Sequence, residues 1–136
     1  MPATTPDSLI ATSLATGGYG TVDTDIFVGE EIPVSTGVPG AAVFVECYGG
    51  PAPTPYLGGA SAADYWVKYV QVLVRTPAST KATGRTKARD INAHLQKLAL
   101  TGYVQCIVLQ SEPIRLGLGD DEHYRWTVNV RTELKE

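Results

Sequence analysis

The chain has 136 residues, 43% of them hydrophobic and 18% charged, with a formal net charge of -3. That length suits one domain burying roughly two-thirds of its unfolded surface, and the composition belongs neither to a disordered nor to a supercharged chain. It lacks the basic excess that usually accompanies non-specific nucleic-acid binding, and no apolar run approaches the roughly 20 residues of a membrane span.

The first residues, MPATTPDSLIATSLATGG, carry no basic n-region and so do not read as a secretory signal. Cys47 and Cys106 stand alone in apolar runs without CxxC spacing, which predicts reduced, core-facing thiols in a protein made in a cytoplasm. The net charge hides an asymmetry. Met1 to Val67 contain seven acids and no Lys or Arg, whereas Lys68 to Glu136 contain all 11 bases and the other seven acids, giving -7 and +4. Such a split speaks about partners rather than fold, and one use of it is self-association of unlike halves.

In chain order, TPDSLIATSLA opens with Thr5 as N-cap, Pro6 at the first helical position and Asp7 in the first turn, predicting a short helix with Leu9, Ile10 and Leu14 on one face. Ten of the 14 glycines and five of the nine prolines then fall between Gly17 and Gly59, which predicts long arms over 17–40 and 49–62. A short strand is expected within DIFVGEEIPV. AAVFVECY alternates and predicts a strand, while GGPAPTPYLGG is expected to be a loop because its prolines cannot donate to a ladder.

DYWVKYVQVLVRT carries the strongest strand signal. Val70, Val72 and Val74 occupy one face and Tyr65, Val67, Tyr69 and Leu73 the other, so cover is expected on both sides. STKATGRTKARDINAHLQKLALTG predicts the main helix, capped by Ser79 or Thr80 and ended by Gly102, with Ala88, Ile91, Leu95 and Leu98 as its apolar stripe. YVQCIVLQ predicts a third strand ended by Pro113. HYRWTVNVRTEL predicts a fourth, with Tyr124, Trp126, Val128, Val130 and Leu134 inward and Arg125, Thr127, Asn129, Arg131 and Glu133 outward.

The expected fold is therefore one α+β domain over 1–136. A four-stranded, largely antiparallel sheet packs on one long helix, with a short N-terminal helix and long arms. The arms exceed the usual length of structureless connections and carry apolar residues such as Ile26, Phe27, Ile32, Val34, Tyr56 and Leu57. With one sheet face lacking a helix, this predicts a subunit completed by an assembly.

No catalytic constellation stands out. Asp120, Asp121, Glu122 and His123 follow Gly117 and Gly119, and extended neighbours point to opposite faces, so a hairpin turn is expected. Metal or acid–base work by Asp120, Asp121 and Glu122 is the minor alternative, although the spacing is not that of a calcium loop. His94 is expected at the edge of the apolar stripe, and no GxSxG elbow, phosphate loop or dinucleotide fingerprint is present. No cofactor is called for. Lys81, Arg85 and Arg89 recur every four residues as one helical ridge, beside Lys87. A solvated face is the plain reading of it; docking of an acidic neighbour or contact with passing DNA are the functional ones.

Taken in order, IFVGEEIP, a strand ending YGGPAP, VQVLVR, the capped helix ARDINAHL and the closing EPIRLGLGDDEHYRWTVNVRTE resemble the tail terminator proteins of long-tailed bacteriophages. The resemblance spans most of the chain and is weakest at the N-terminus. It implies a non-enzymatic virion protein, assembled in the host bacterial cytoplasm, that forms a hexameric ring on the head-proximal end of the tail tube. Such a ring ends tube polymerisation and offers the head connector a docking surface, with DNA passing incidentally through its lumen. A head-completion or neck adaptor contacting DNA is the related alternative. Within a ring, the acidic Asp23, Asp25, Glu30 and Glu31 are expected to meet a neighbour's basic row of Arg75, Arg125 and Arg131, with Asn129 among them.

Overall fold

The computed structural model describes residues 5–29, 39–51, 54–55, 64–119 and 121–135. Helix α1 spans Pro6–Thr16. Strands β1 (Ile26–Val28), β2 (Ala42–Gly49), β3 (Thr54–Pro55) and β4 (Asp64–Pro77) follow. A 3-10 turn at Ala78–Thr80 leads into helix α2 (Lys81–Gln96), and β5 (Gln105–Val108), β6 (Ile114–Leu118) and β7 (His123–Lys135) complete the chain. The α+β class holds, but the sheet has seven strands rather than four, in the order β1-β2-β4-β7-β5, with β3 also on β4 and β6 also on β7.

Its spine is the antiparallel β4–β7 pair, in register from Tyr65↔Lys135 to Pro77↔His123. Among the described strands only β1 and β2 run parallel. Period-2 alternation puts every second residue under the helices, and the register lines these up into apolar rows. Ile26, Val43, Val74 and Trp126 form one row; Val45, Val72 and Val128 form the next. Ile10 and Leu14 of α1 and Ala88, Ile91 and Leu95 of α2 close over them in one cluster. Each such fully buried aliphatic side chain is worth about 1.5–3 kcal/mol, and among the described residues this cluster lies on the helix side of the sheet.

Several local expectations change. GGPAPTPYLGG is not all loop: Thr54 and Pro55 pair with Tyr65 and Asp64, where β4 runs past the end of β2. A proline is tolerated there because a two-residue edge strand need not donate at every position. IRLGL, where no strand is expected, is the strand β6, and Gly117 (φ 83°), expected in the hairpin turn, lies at a bulge in its pairing with β7. Thr80 does sit at the N-cap of α2, yet its hydroxyl donates to the Pro77 carbonyl at 3.2 Å instead of capping. The helix ends at Gln96, so Leu98 lies beyond it and Gly102 is not its cap. The third strand shrinks to four residues.

Glycine is required inside α2. A Cβ on Gly84 would sit 2.3 Å from the Thr76 side chain and 3.0 Å from the Trp126 ring. The absent side chain lets α2 lie close on the β4–β7 spine. The described residues of the first arm include a turn and a strand. The turn at 21–25 holds Ile26 N to the Thr21 carbonyl at 3.1 Å, and Ile26 and Phe27 are buried.

Candidate assembly surface

The helix-free face of the sheet carries the row expected to be functional. Arg75 is directly opposite Arg125, Gln71 opposite Asn129, and Tyr69 opposite Arg131. Phe44, Glu46, Gln71, Leu73, Arg75 and Arg125 line a shallow depression of about 220 Å³. Arg75 donates to the carbonyls of Pro39 (2.7 Å) and Gly40 (3.2 Å) and lies over the Phe44 ring at 5.2 Å. Burial, and then the like charge of Arg125, lower its affinity for the proton. Two facing guanidiniums are tolerable because Arg125 forks onto Asp121, at 2.9 and 2.5 Å.

That fork resolves the acidic stretch. Asp121 is held by Arg125 four residues on, and the hydrogen bond pulls its pKa to about 2. Around it the chain reverses: Glu122 N donates to the Gly119 carbonyl at 3.0 Å, Gly119 N to the His123 carbonyl at 3.0 Å, and Glu122 takes a φ of 60°. The His123 ring nitrogen contacts the Asp121 carbonyl at 2.8 Å. This is a hairpin turn joining β6 to β7. Asp120 lies outside the described residues, as do Glu30 and Glu31. Among the described residues no three His, Cys, Asp or Glu side chains converge as a metal site would need.

Further along the same face, Glu133 is buried although it belongs to the outward row. Its carboxylate accepts from the Tyr65 hydroxyl, from Gln105 Nε2 at 2.5 Å and from Arg131 at 2.8 Å. Together, with the Tyr65 bond foremost, these donors hold its pKa below the ordinary carboxylate value. Thr127 is buried too. The outward row thus mixes bonded groups with buried atoms that have no hydrogen bond among the described residues, Thr127 Oγ1 and Arg131 Nε.

His94 packs edge-on to Tyr19 and sits 2.9 Å from the Ser13 hydroxyl, tying α2 to α1. Both cysteines are free and half-buried, and burial raises the Cys106 pKa, which opposes thiolate chemistry. An open cleft of about 670 Å³ between the loop after α1 and α2 is lined by Tyr19, Asp25, Thr86, Lys87 and Asp90 among others.

Two features escaped the sequence reading. Ile114, Leu116 and Leu118 of β6, with Ile107 and Leu109 from β5 and just past it, are large apolar residues left exposed along one edge of the sheet. Their period-2 spacing in PIRLGLG was a strand signal, masked by the glycines. Beside them, the α2 ridge meets β6: Lys81, Arg85, Arg89, Glu112, Arg115 and Trp126 surround a groove of about 240 Å³. Lys81 is spent over the Tyr124 ring at 4.8 Å and Arg89 on Glu112 at 2.9 Å. Arg85 and Arg115 have no ion-pair partner among the described residues.

The fold has a counterpart among solved structures. It is similar to a chain of the virion of a native gene transfer agent particle, with a TM-score of 0.55, 17% identity, and coverage of 96% of this chain and 87% of that one. No family model matches the sequence, and no curated protein does. The likeness therefore establishes a shared architecture along nearly the whole chain.

Proposed function

We propose that the protein is a non-enzymatic virion component. It forms a hexameric ring at the head-proximal end of a phage-like tail, ends tube polymerisation there and presents a docking surface to the head connector. The observation that carries this reading is the near full-length fold shared with a chain of a gene transfer agent virion. It agrees with the tail-terminator resemblance read from the sequence. An edge of exposed apolar side chains in a chain of this size supports an assembling subunit. The Arg125–Asp121 fork supports a structural role for the acidic turn over a metal-dependent hydrolytic one.

The test is native mass spectrometry and negative-stain imaging of the purified protein, alone and with tail tubes. A six-fold ring, free or capping tube ends, is expected. A persistent monomer that also ignores tube ends would overturn the reading. The basic groove favours one second reading, a neck adaptor contacting DNA, which predicts a steep fall of DNA affinity with salt.

A further inference from the structure

Apart from Tyr48, the large apolar side chains left exposed among the described residues all fall between 104 and 118. They are Val104, Ile107, Leu109, Ile114, Leu116 and Leu118, at 41% to 61% exposure. They sit on or beside β5 and β6, which lie end to end on β7 and pair with no other described strand. Such an edge offers backbone donors and acceptors to a further strand.

The register puts apolar residues on both faces of this edge. Ile107 is opposite Arg131 and Ile114 opposite Thr127, on the helix-free face, whereas Leu118 is opposite Tyr124 on the helix side. The change of face follows from the bulge between Arg115 and Gly117. Apolar residues on both faces belong to an interior strand, yet here the strand is outermost. Arg115 lies opposite Trp126, on the helix side, and shares a groove with Arg85. Both arginines are exposed and have no ion-pair partner among the described residues. The acid of that groove, Glu112, is already held by Arg89. Unspent positive charge thus borders the apolar edge.

We infer that the β5–β6 edge takes an extended segment of a different protein, with acidic and apolar residues in alternation, as an added strand. Alternate side chains of such a strand point to opposite faces. Those on the helix side bring carboxylates to Arg85 and Arg115, and a guanidinium fork fits a carboxylate. Those between them lie beside Ile107 and Ile114. Main-chain bonds supply affinity, and the side chains choose the partner. Other occupants answer only part of this surface. A second copy's like edge would bring further free arginines, and its β1 edge exposes a single acid among the described residues, Asp23. A DNA backbone would answer the arginines and leave the apolar row in water. The inference goes beyond the ring reading, because the contact is with another chain whether or not copies of this one close into a ring.

The test selects binders to the purified protein from a displayed random dodecapeptide library and measures the enriched peptides, fluorescein-labelled, by anisotropy. Enriched sequences are expected to alternate Asp or Glu with Val, Ile or Leu. R85A/R115A and, separately, I107K/L116K change exposed side chains. Their melting curves should match the wild type while peptide affinity falls at least about tenfold. N-methylation of every second peptide residue should abolish binding in one of its two registers only, as pairing along one edge requires. Enrichment of acid-free peptides, no enrichment, or equal binding by both methylated registers would overturn the inference. So would duplex DNA that displaces the peptides through Arg85 and Arg115, or an oligomer that I107K/L116K dissolves and no peptide disturbs. A six-fold ring whose edge takes no peptide would sink the inference and leave the function standing. A peptide-binding chain that never forms a ring would do the reverse.

Discussion

The two faces of the sheet are built on different physics. Under the helices, Val43, Val45, Val70, Val72, Val128 and Val130 are fully buried in one apolar cluster. On the other side, Arg75, Arg125, Arg131 and Glu133 are bound one by one to carbonyls, carboxylates and hydroxyls. The helix side is where stability resides, because area removed from water is the dominant favourable term in folding. The polar side and its basic edge contribute little net stability, since a charge bonded within the fold mostly replaces its lost hydration.

Substitutions can break this contrast. The largest effect is expected from Leu95→Ala, buried under the last turn of α2. Loss of its contacts with the sheet and the cavity left behind should cost about 2–5 kcal/mol in urea or guanidinium unfolding. Gly84→Ala comes next and runs against helix propensity, which favours alanine by about 1 kcal/mol. The new methyl would meet the buried Thr76 at 2.3 Å, so a net loss of about 1–3 kcal/mol is expected. A stabilised Gly84→Ala protein would show that α2 does not lie this close to the spine.

On the opposite face the effects shrink and become dependent on pH. Glu133→Gln is expected to cost about 1 kcal/mol at neutral pH through weakened bonds to Tyr65, Gln105 and Arg131. Because the folded pKa of Glu133 lies below its unfolded value, its stabilisation is complete above the ordinary carboxylate range and fades as pH falls through the folded pKa. The variant should therefore show a flatter acid limb in its stability curve. Asp121 is smallest. Its carboxyl should titrate by NMR at about 2, and Arg125→Ala should move that midpoint up toward the usual aspartate range. An unmoved midpoint would mean that the fork does not form in solution. Asp121→Asn should leave the melting temperature nearly unchanged, as expected for an exposed pair.

Much of the fold was legible because period and punctuation agree. DYWVKYVQVLVRT is β-rich on both faces and HYRWTVNVRTEL alternates, and both are strands over their full expected length. The stripe Ala88, Ile91 and Leu95 marks the buried side of α2. Legibility failed where local signals competed. Glycines in PIRLGLGD spoke for a turn, while pairing with β7 made IRLGL a bulged strand. Prolines in PAPTPY spoke for a loop, while the overhang of β4 recruited Thr54 and Pro55.

The candidate surface shows the same division. Charge asymmetry, the ridge of α2 and the turn chemistry of the acidic stretch are properties of residue order, and the sequence determined them alone. Which guanidiniums are already bonded, that Glu133 is buried, and that β5 and β6 share one edge of β7 were decided by tertiary structure. Strand order brings distant residues together through pairing and burial over the whole chain, and no local pattern of side chains encodes it.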